Sequence, residues 1–394
     1  MRIGLFTDTY FPQISGVAVS IRTLKAELEK LGNTVYVFTP AQNFPKQKVA
    51  DTEKNIVRLR SIPSGLVAER RLALQSGLAT ATKIAVKYKL DLVHTQTEFG
   101  VGLLGKQVAA MSRIPHVHTL HTKYEDYLHF IPGGSRVPKE TIRYLVRAYL
   151  IGAEGLIVPS VVTEEAAIRY GVKCPIRIIP TGIDVAKFFV TENTAAETKQ
   201  LRAELGIEPN EKMLLSVSRL SEEKNIGATL RAVSRLAKES PIKLVIVGDG
   251  PGRKDLEKVV RKLGIANKVI FTGMIPNDEV KKYFRAADCF ISASRSETQG
   301  LTFLESLAAR TPVIAADNPI MRPIINEPEF GRLFTNDDDI AAAITSVLTA
   351  DQQMTDTQYL GKLMEISSDS FGKRVLEFYQ YIIKEAALLG YSKD

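Results

Sequence analysis

Tryptophan is missing from this 394-residue chain, and cysteine appears only twice, at Cys174 and Cys289. Two cysteines far apart in apolar surroundings read as buried thiols rather than a bridge, and nothing in them asks for an oxidising compartment. No apolar run approaches the roughly 18 residues needed to cross a bilayer. The N-terminus, Met1-Arg2-Ile3-Gly4-Leu5-Phe6, enters a strand directly and lacks the basic-then-apolar order of a signal peptide. Repeats shorter than a domain, low-complexity tracts and coiled-coil heptads are absent as well. These absences leave an ordinary globular protein, expected in the cytoplasm or resting on a membrane from its cytoplasmic side.

What is present is α/β. Short apolar strands alternate with amphipathic helices: Arg2–Phe6, Thr34–Phe38, Asp91–His94, His116–Thr119 and Glu154–Pro159 in the first half, then Lys212–Val217, Lys243–Val247, Val269–Thr272, Asp288–Ala293 and Pro312–Ala316 in the second. That rhythm predicts two doubly wound, Rossmann-like domains facing a cleft. The length also exceeds what one core usually supports. The Pro and Gly of Ile178-Ile179-Pro180-Thr181-Gly182-Ile183-Asp184 mark the boundary. Residues 1–179 form the N-terminal domain and 180–370 the C-terminal one. The amphipathic helix over 371–390 is expected to pack back on the first. Residues 1–180 hold 24 Lys+Arg against 14 Asp+Glu, a balance of +10 within a chain of net +8. A basic half suits an anionic surface; no nucleic-acid recognition motif accompanies it.

The chemistry concentrates in Ser296-Glu297-Thr298-Gln299-Gly300-Leu301-Thr302-Phe303-Leu304-Glu305, between two strands. Helix-opening N–H groups after Gly300, at Leu301 and Thr302, suit phosphate oxygens. Glu305 lies at about 40° from Leu301 on a helical wheel, off the apolar arc of Phe303, Leu304 and Leu307. Two carboxylates would repel a phosphate, so Glu297 and Glu305 read as acceptors for hydroxyls, as on a sugar and a ribose. Helix capping by Glu297, with Glu305 on the surface, is the plainer alternative. Arg219 and Lys224 follow another strand and can take a diphosphate bidentately and as a point charge; the competing reading pairs them with Glu222 and Glu223. Gly248-Asp249-Gly250-Pro251-Gly252 has the spacing G-x-G-x-G, not the dinucleotide G-x-G-x-x-G, and reads as a tight strand–helix turn. Asp337-Asp338-Asp339 precedes a helix, and capping explains it better than a metal.

All five histidines fall between 94 and 129. His116-x-His118 can share a strand face, but no cysteine or closely spaced carboxylate completes a zinc site. His121-Thr122-Lys123-Tyr124-Glu125-Asp126-Tyr127 is the better candidate: His121 can donate to a sugar hydroxyl and Asp126 can contact the acceptor or act as a base. The loop around Gly16 can turn backbone N–H groups toward a phosphate. Two basic, apolar stretches can face a surface. One is Ser64–Leu74, with Arg70 and Arg71; in the other, Lys139, Arg143 and Arg147 share a helix face beside Tyr144, Tyr149 and Leu150.

Taken together, the Gly16 loop, His121-Thr122, Ile179-Pro180-Thr181-Gly182-Ile183-Asp184, Arg219 with Lys224, Gly248-Asp249-Gly250, Phe271-Thr272-Gly273 and the Glu297/Glu305 pair resemble the retaining glycosyltransferases of the GT-B fold, family 4. The resemblance covers nearly the whole chain. It implies that Arg219 and Lys224 bind the donor diphosphate, Glu305 the ribose, and Glu297 with His121 the donor sugar, while the loop after Gly273 passes beside the base. It implies no metal and no cofactor beyond a nucleotide sugar, with the acceptor attacking from the face the diphosphate leaves. The heptad from His121 to Tyr127 looks like that of the bacterial diacylglycerol α-glucosyltransferases, which make membrane glycolipids from UDP-glucose. The Arg70/Arg71 stretch occupies the place of a membrane-binding helix in lipid-acceptor relatives. The expected acceptor is therefore 1,2-diacylglycerol at an anionic membrane surface, with a soluble glycan or a protein as the alternative.

Overall fold

The computed structural model describes all residues except Ile14, 42–52, 64–70, 74–77, 123–137, 190–191, 238–239, 352–353 and 389–394. The chain divides into two compact units, Met1–Gly182 with Ser368–Asp394, and Ile183–Ser367.

The first unit contains β1 (Arg2–Phe6), β2 (Thr34–Pro40), β3 (Ile56–Leu59), the short β4 (Ser61–Pro63) and β5 (Arg71–Ala73), then β6 (Leu92–Thr95), β7 (His116–Thr119), β8 (Gly155–Val158) and β9 (Ile176–Ile178). Seven of them form a parallel sheet in the order β3-β2-β1-β6-β7-β8-β9. Strands β6, β7 and β8 are buried at every position, as strands with both faces covered must be. The order reverses between β1 and β6, so the connections that leave these two strands diverge there.

The C-terminal helix Ser368–Leu388 belongs to this unit. Phe371, Val375, Phe378 and Ile382 recur at helical spacing and join the core of Ile21, Leu24 and Leu28 from helix Gly16–Lys30. Each such side chain, fully buried, contributes about 1.5–3 kcal/mol. At the helix start the Ser368 hydroxyl donates to Glu27 Oε1 at 2.7 Å.

The second unit contains β10 (Lys212–Val217), β11 (Ile242–Val247), β12 (Val269–Gly273), β13 (Cys289–Ser292), β14 (Val313–Ala316) and β15 (Gly331–Phe334), a parallel sheet in the order β12-β11-β10-β13-β14-β15. Its switch point lies between β10 and β13, which pair in register at Leu214↔Cys289 and Leu215↔Phe290. Helix Ile226–Leu236 buries Ile226, Leu230 and Val233 against it.

Some expectations need correction. Gly16 is not in a loop: it opens helix Gly16–Lys30, capped by the Ser15 hydroxyl, which accepts from Ala18 N at 3.1 Å. The end of the Ser64–Leu74 stretch is not helical; Arg71 lies in β5, opposite Pro63 of β4. The rest of it, Arg70 included, falls outside the described residues. Helices Leu78–Tyr88, Gly100–Ser112, Glu192–Glu204 and Asp356–Ile366 lie outside the elements expected from the sequence. In Gly100–Ser112 three glycines depress the helical signal.

Candidate active site

Open parallel sheets bind ligands beyond the carboxyl ends of their strands, at the switch point. In the second unit two connections straddle that point. The one after β10 carries Arg219 and Lys224; the one after β13 carries Glu297. Lys224 Nζ donates to Glu297 Oε1 at 2.7 Å, with side chains 22% and 14% exposed. Neither expected alternative survives at these residues: Lys224 does not pair with Glu222 or Glu223, and Glu297 does not cap the following helix. Glu297 instead holds the ammonium in place with a charge-assisted bond. Arg219 is exposed.

Helix Leu301–Ala308 starts behind Gly300, which has φ +78° and offers no side-chain cap. A Cβ at Gly300 would lie 2.6 Å from the Phe303 ring, so glycine alone permits this entry. The first N–H groups, at Leu301 and Thr302, open the helix at its positive end. Further on, Phe303, Leu304 and Leu307 are buried. Glu305 is only partly exposed, and burial pushes its carboxyl up to about 7 despite the opposing charge of Lys187. Three buried hydroxyls at the same edge, Ser218, Ser294 and Ser296, find no hydrogen-bond partner among the described residues. Orphaned groups of this kind ask for a ligand or water; in the sequence alone, serine in a loop carries no signal of this.

The glycine turn braces this edge. Leu220 N donates to Asp249 O at 3.0 Å and Gly252 N to Leu220 O at 2.9 Å, locking the Arg219 connection to it. Gly248 has φ +128°, and a Cβ there would fall 2.0 Å from Ser218 O. Gly248→Ala is therefore expected to cost at least about 2–3 kcal/mol in urea unfolding; an unchanged midpoint would refute the brace. Gly273 ends β12 with φ +74° and accepts from Gly248 N at 2.9 Å. The Asp337-Asp338-Asp339 run forms a 3-10 turn closed by its own capping box, in which Asp339 accepts from Asn336 N at 3.0 Å; Asp339 makes no side-chain cap bond to the helix Ile340–Leu348 that follows, contrary to expectation. Asp337 also binds Asn225 Nδ2 at 3.1 Å and Arg295 at 3.2 Å, tying together the Lys224 and Glu297 connections.

In the first unit the same edge is polar and buried. Asp8, after β1, accepts from the Thr97 hydroxyl at 2.6 Å and from Val101 N at 3.0 Å, across the β1/β6 switch point. Burial raises its carboxyl pKa. Thr95 Oγ1 lies 2.7 Å from His116 Nε2 and 2.8 Å from His118 Nδ1, and His118 Nε2 lies 3.2 Å from Glu98. Among the described residues, His118 is held at both ring nitrogens and His116 at Nε2, its Nδ1 being buried without a partner, and no group of three or more His, Cys, Asp or Glu could hold a metal ion. His121 Nε2 meets Gln96 Oε1 at 2.7 Å. Burial lowers the pKa of His116 and His121 to about 3, so both are neutral near pH 7. Asp126 lies outside the described residues.

Residues 14–187 match the family described as Glycosyltransferase Family 4, and residues 197–363 the one described as Glycosyl transferases group 1. The alpha-monoglucosyldiacylglycerol synthase of Streptococcus pneumoniae is 49% identical over 96% of this chain and 85% of that protein. The chain belongs to glycosyltransferase family 4. A second relative, the alpha-monoglucosyldiacylglycerol synthase of Acholeplasma laidlawii, is 32% identical over 95% of the chain and 94% of its own length. The Anabaena protein HepE, solved in complex with UDP-glucose, has the same fold at 18% identity, with a TM-score of 0.69 over 98% of this chain and 99% of that one. The two doubly wound sheets of this glycosyltransferase are thus those of the GT-B fold.

Helix Lys139–Leu150 of the enzyme carries the second basic stretch. Lys139 and Arg147 are exposed; Arg143 is half-buried, 3.7 Å from Glu140. Tyr149 and Leu150 do not accompany them. They are buried, with Tyr149 OH donating to Thr97 O at 3.2 Å. Five residues on a helix turn a side chain by about 140°, so Tyr144 and Tyr149 cannot share a face. Tyr144, 70% exposed, and Leu145, 57% exposed, are the outward apolar groups.

Proposed function

We propose that this glycosyltransferase moves glucose from UDP-glucose to 1,2-diacylglycerol at the cytoplasmic face of the membrane, without metal and with retention, making α-monoglucosyldiacylglycerol. The observation that carries the reading is the Lys224–Glu297 contact across the β10/β13 switch point. It presents a cation on the same connection as exposed Arg219, where a diphosphate would leave, and keeps a carboxylate next to it for sugar hydroxyls. Two cations and the amides of Gly300, Leu301 and Thr302 would stabilise the departing nucleotide electrostatically, the role a metal would otherwise take. Glu305 would hold the ribose, and the turns at Gly248 and Gly273 would border the nucleotide. In the N-terminal unit, neutral His121 gives its one N–H to Gln96 Oε1, so it would accept from a sugar hydroxyl through Nδ1 and not donate as expected; Gly16 would offer helix N–H groups, and Asp126 would contact the acceptor.

The names of the two relatives support glucose and diacylglycerol as substrates. The basic first half supports an anionic surface. Arg70, Arg71, Lys139, Arg143 and Arg147 would contribute roughly 1 kcal/mol each near an anionic leaflet, enough for reversible peripheral attachment. No helix among the described residues is long and apolar enough to cross a membrane.

Mass spectrometry of products from UDP-glucose and vesicles containing diacylglycerol and anionic lipid tests this reading. A monoglucosyl lipid is expected, with activity rising with anionic lipid and falling with salt. Equal transfer to a soluble glycan or peptide without lipid would overturn the lipid assignment and leave the transferase chemistry standing.

A further inference from the structure

The core of the first unit holds a line of polar side chains that the proposed chemistry does not use. Gln96, buried at the carboxyl end of β6, meets His121 Nε2 through Oε1 at 2.7 Å. Its amide nitrogen lies against the His94 ring, 3.0 Å from Nδ1 and 3.1 Å from Nε2. His94 in turn contacts Tyr379 OH at 2.5 Å and Thr119 Oγ1 at 2.6 Å through its two ring nitrogens. Tyr379 is fully buried on the C-terminal helix Ser368–Leu388. Beside the line is a cavity of about 10 Å³, walled by Gln96 and His121 on one side and by Phe371 and Val375 of the C-terminal helix on the other. It is of the size that one water needs.

We propose that Gln96, backed by His94 and Tyr379, is a positioning chain that sets the orientation of the His121 imidazole and links it to the C-terminal helix. This rests on the assignment of His121 to the donor sugar above. A polar line through an apolar core is less stable than well-packed aliphatic side chains unless every member is satisfied. What it supplies is a single geometry. His121 stands two residues beyond the end of β7, and its ring would otherwise be free to turn about χ2. The contact with Gln96 removes that freedom. The C-terminal helix, distant in sequence, thereby acts on a side chain of the site through Tyr379 and His94.

Among the described residues, the other titratable groups around the imidazole are His94 on β6, His116 and His118 on β7, Glu98 behind His118, Tyr149 against the His118 ring at 5.0 Å, and Tyr379. Burial keeps His94, His116 and His121 neutral. A carboxylate placed at Gln96 would favour the imidazolium of His121.

The test combines Gln96→Leu, Gln96→Glu, Tyr379→Phe and His121→Asn in the full-length enzyme with diacylglycerol vesicles. Gln96→Leu is expected to lower kcat about 10²-fold, the scale of a misplaced group, with KM for UDP-glucose little changed. Tyr379→Phe should give a smaller loss of the same kind. Gln96→Glu should add an ionisation to the pH–kcat profile, which loss of packing alone would not. In the His121→Asn background, Gln96→Leu should have no further effect. Nitrogen-15 shifts of the His121 ring, read in the folded protein, should move in Gln96→Leu independently of turnover. If His121→Asn keeps full activity, the donor-sugar role of His121 is wrong and the positioning role goes with it. If His121→Asn is inactive but Gln96→Leu leaves kcat, the pH profile and the ring shifts as in the wild type, the positioning chain is overturned while the donor-sugar role stands.

Discussion

Replacing Lys224 with methionine should lower kcat with UDP-glucose by about 10²–10³-fold, the loss typical of removing one preorganised group that stabilises transition-state charge. The ammonium is already fixed by Glu297 at 2.7 Å, so little reorganisation accompanies donor binding. Stability should change far less, by about 1 kcal/mol, because both side chains keep some solvent contact and screening discounts the pair. Steady-state kinetics beside urea unfolding separate the two effects. Glu297→Gln should be comparably inactive, and the double variant no worse than either single one by more than about tenfold, as expected for residues acting as a unit. A Lys224→Met enzyme with near-normal turnover and a large stability loss would make the pair structural.

Glu305→Gln should separate stability from binding in the opposite sense. Burial raises the Glu305 carboxyl to about 7 from the ordinary 4.5. The folded state therefore holds this proton more tightly than the unfolded state. The stabilisation is complete below about pH 4.5 and is lost as pH rises through about 7. Above that, the ionised group costs the ligand-free protein on the order of 2–3 kcal/mol. At pH 8 the glutamine variant should unfold at higher urea than the wild type by roughly 2 kcal/mol; at pH 4.5 the advantage should vanish. Affinity for UDP-glucose should fall about 10–100-fold, the worth of a hydrogen bond to a charged group. A variant less stable than wild type at pH 8 would show that the carboxylate is well partnered in the free enzyme and not held for a ribose.

The second unit was more legible than the first. Strands β10 to β14 and helices such as Arg253–Leu263 announce themselves because each is an uninterrupted apolar or amphipathic run between Gly and Pro punctuation. The Glu297 and Glu305 segment stood out because two carboxylates flank a helix start. Less could be read where packing overrides local pattern. His94, Gln96 and His116 look like ordinary strand residues, and only the return of the C-terminal helix puts Tyr379 against His94. Tyr149 lies near the basic residues in sequence but about 140° from Tyr144 around the helix, which puts it in the core. Arg71 belongs to a strand, paired with Pro63 at one end of the three-residue antiparallel ladder of β4 and β5, which the basic, apolar composition of its stretch does not encode. The orphaned hydroxyls of Ser218, Ser294 and Ser296 are visible only once burial is known.

Crystallographic density for UDP-glucose bound to this enzyme tests the donor site most directly. The expected result places the diphosphate within hydrogen-bond reach of Arg219, Lys224 and the amides at Leu301 and Thr302, the ribose hydroxyls on Glu305 and the glucose on Glu297. Density for the diphosphate away from the β10/β13 edge, with Lys224 still bound to Glu297 and no new partner for either, would contradict the assignment.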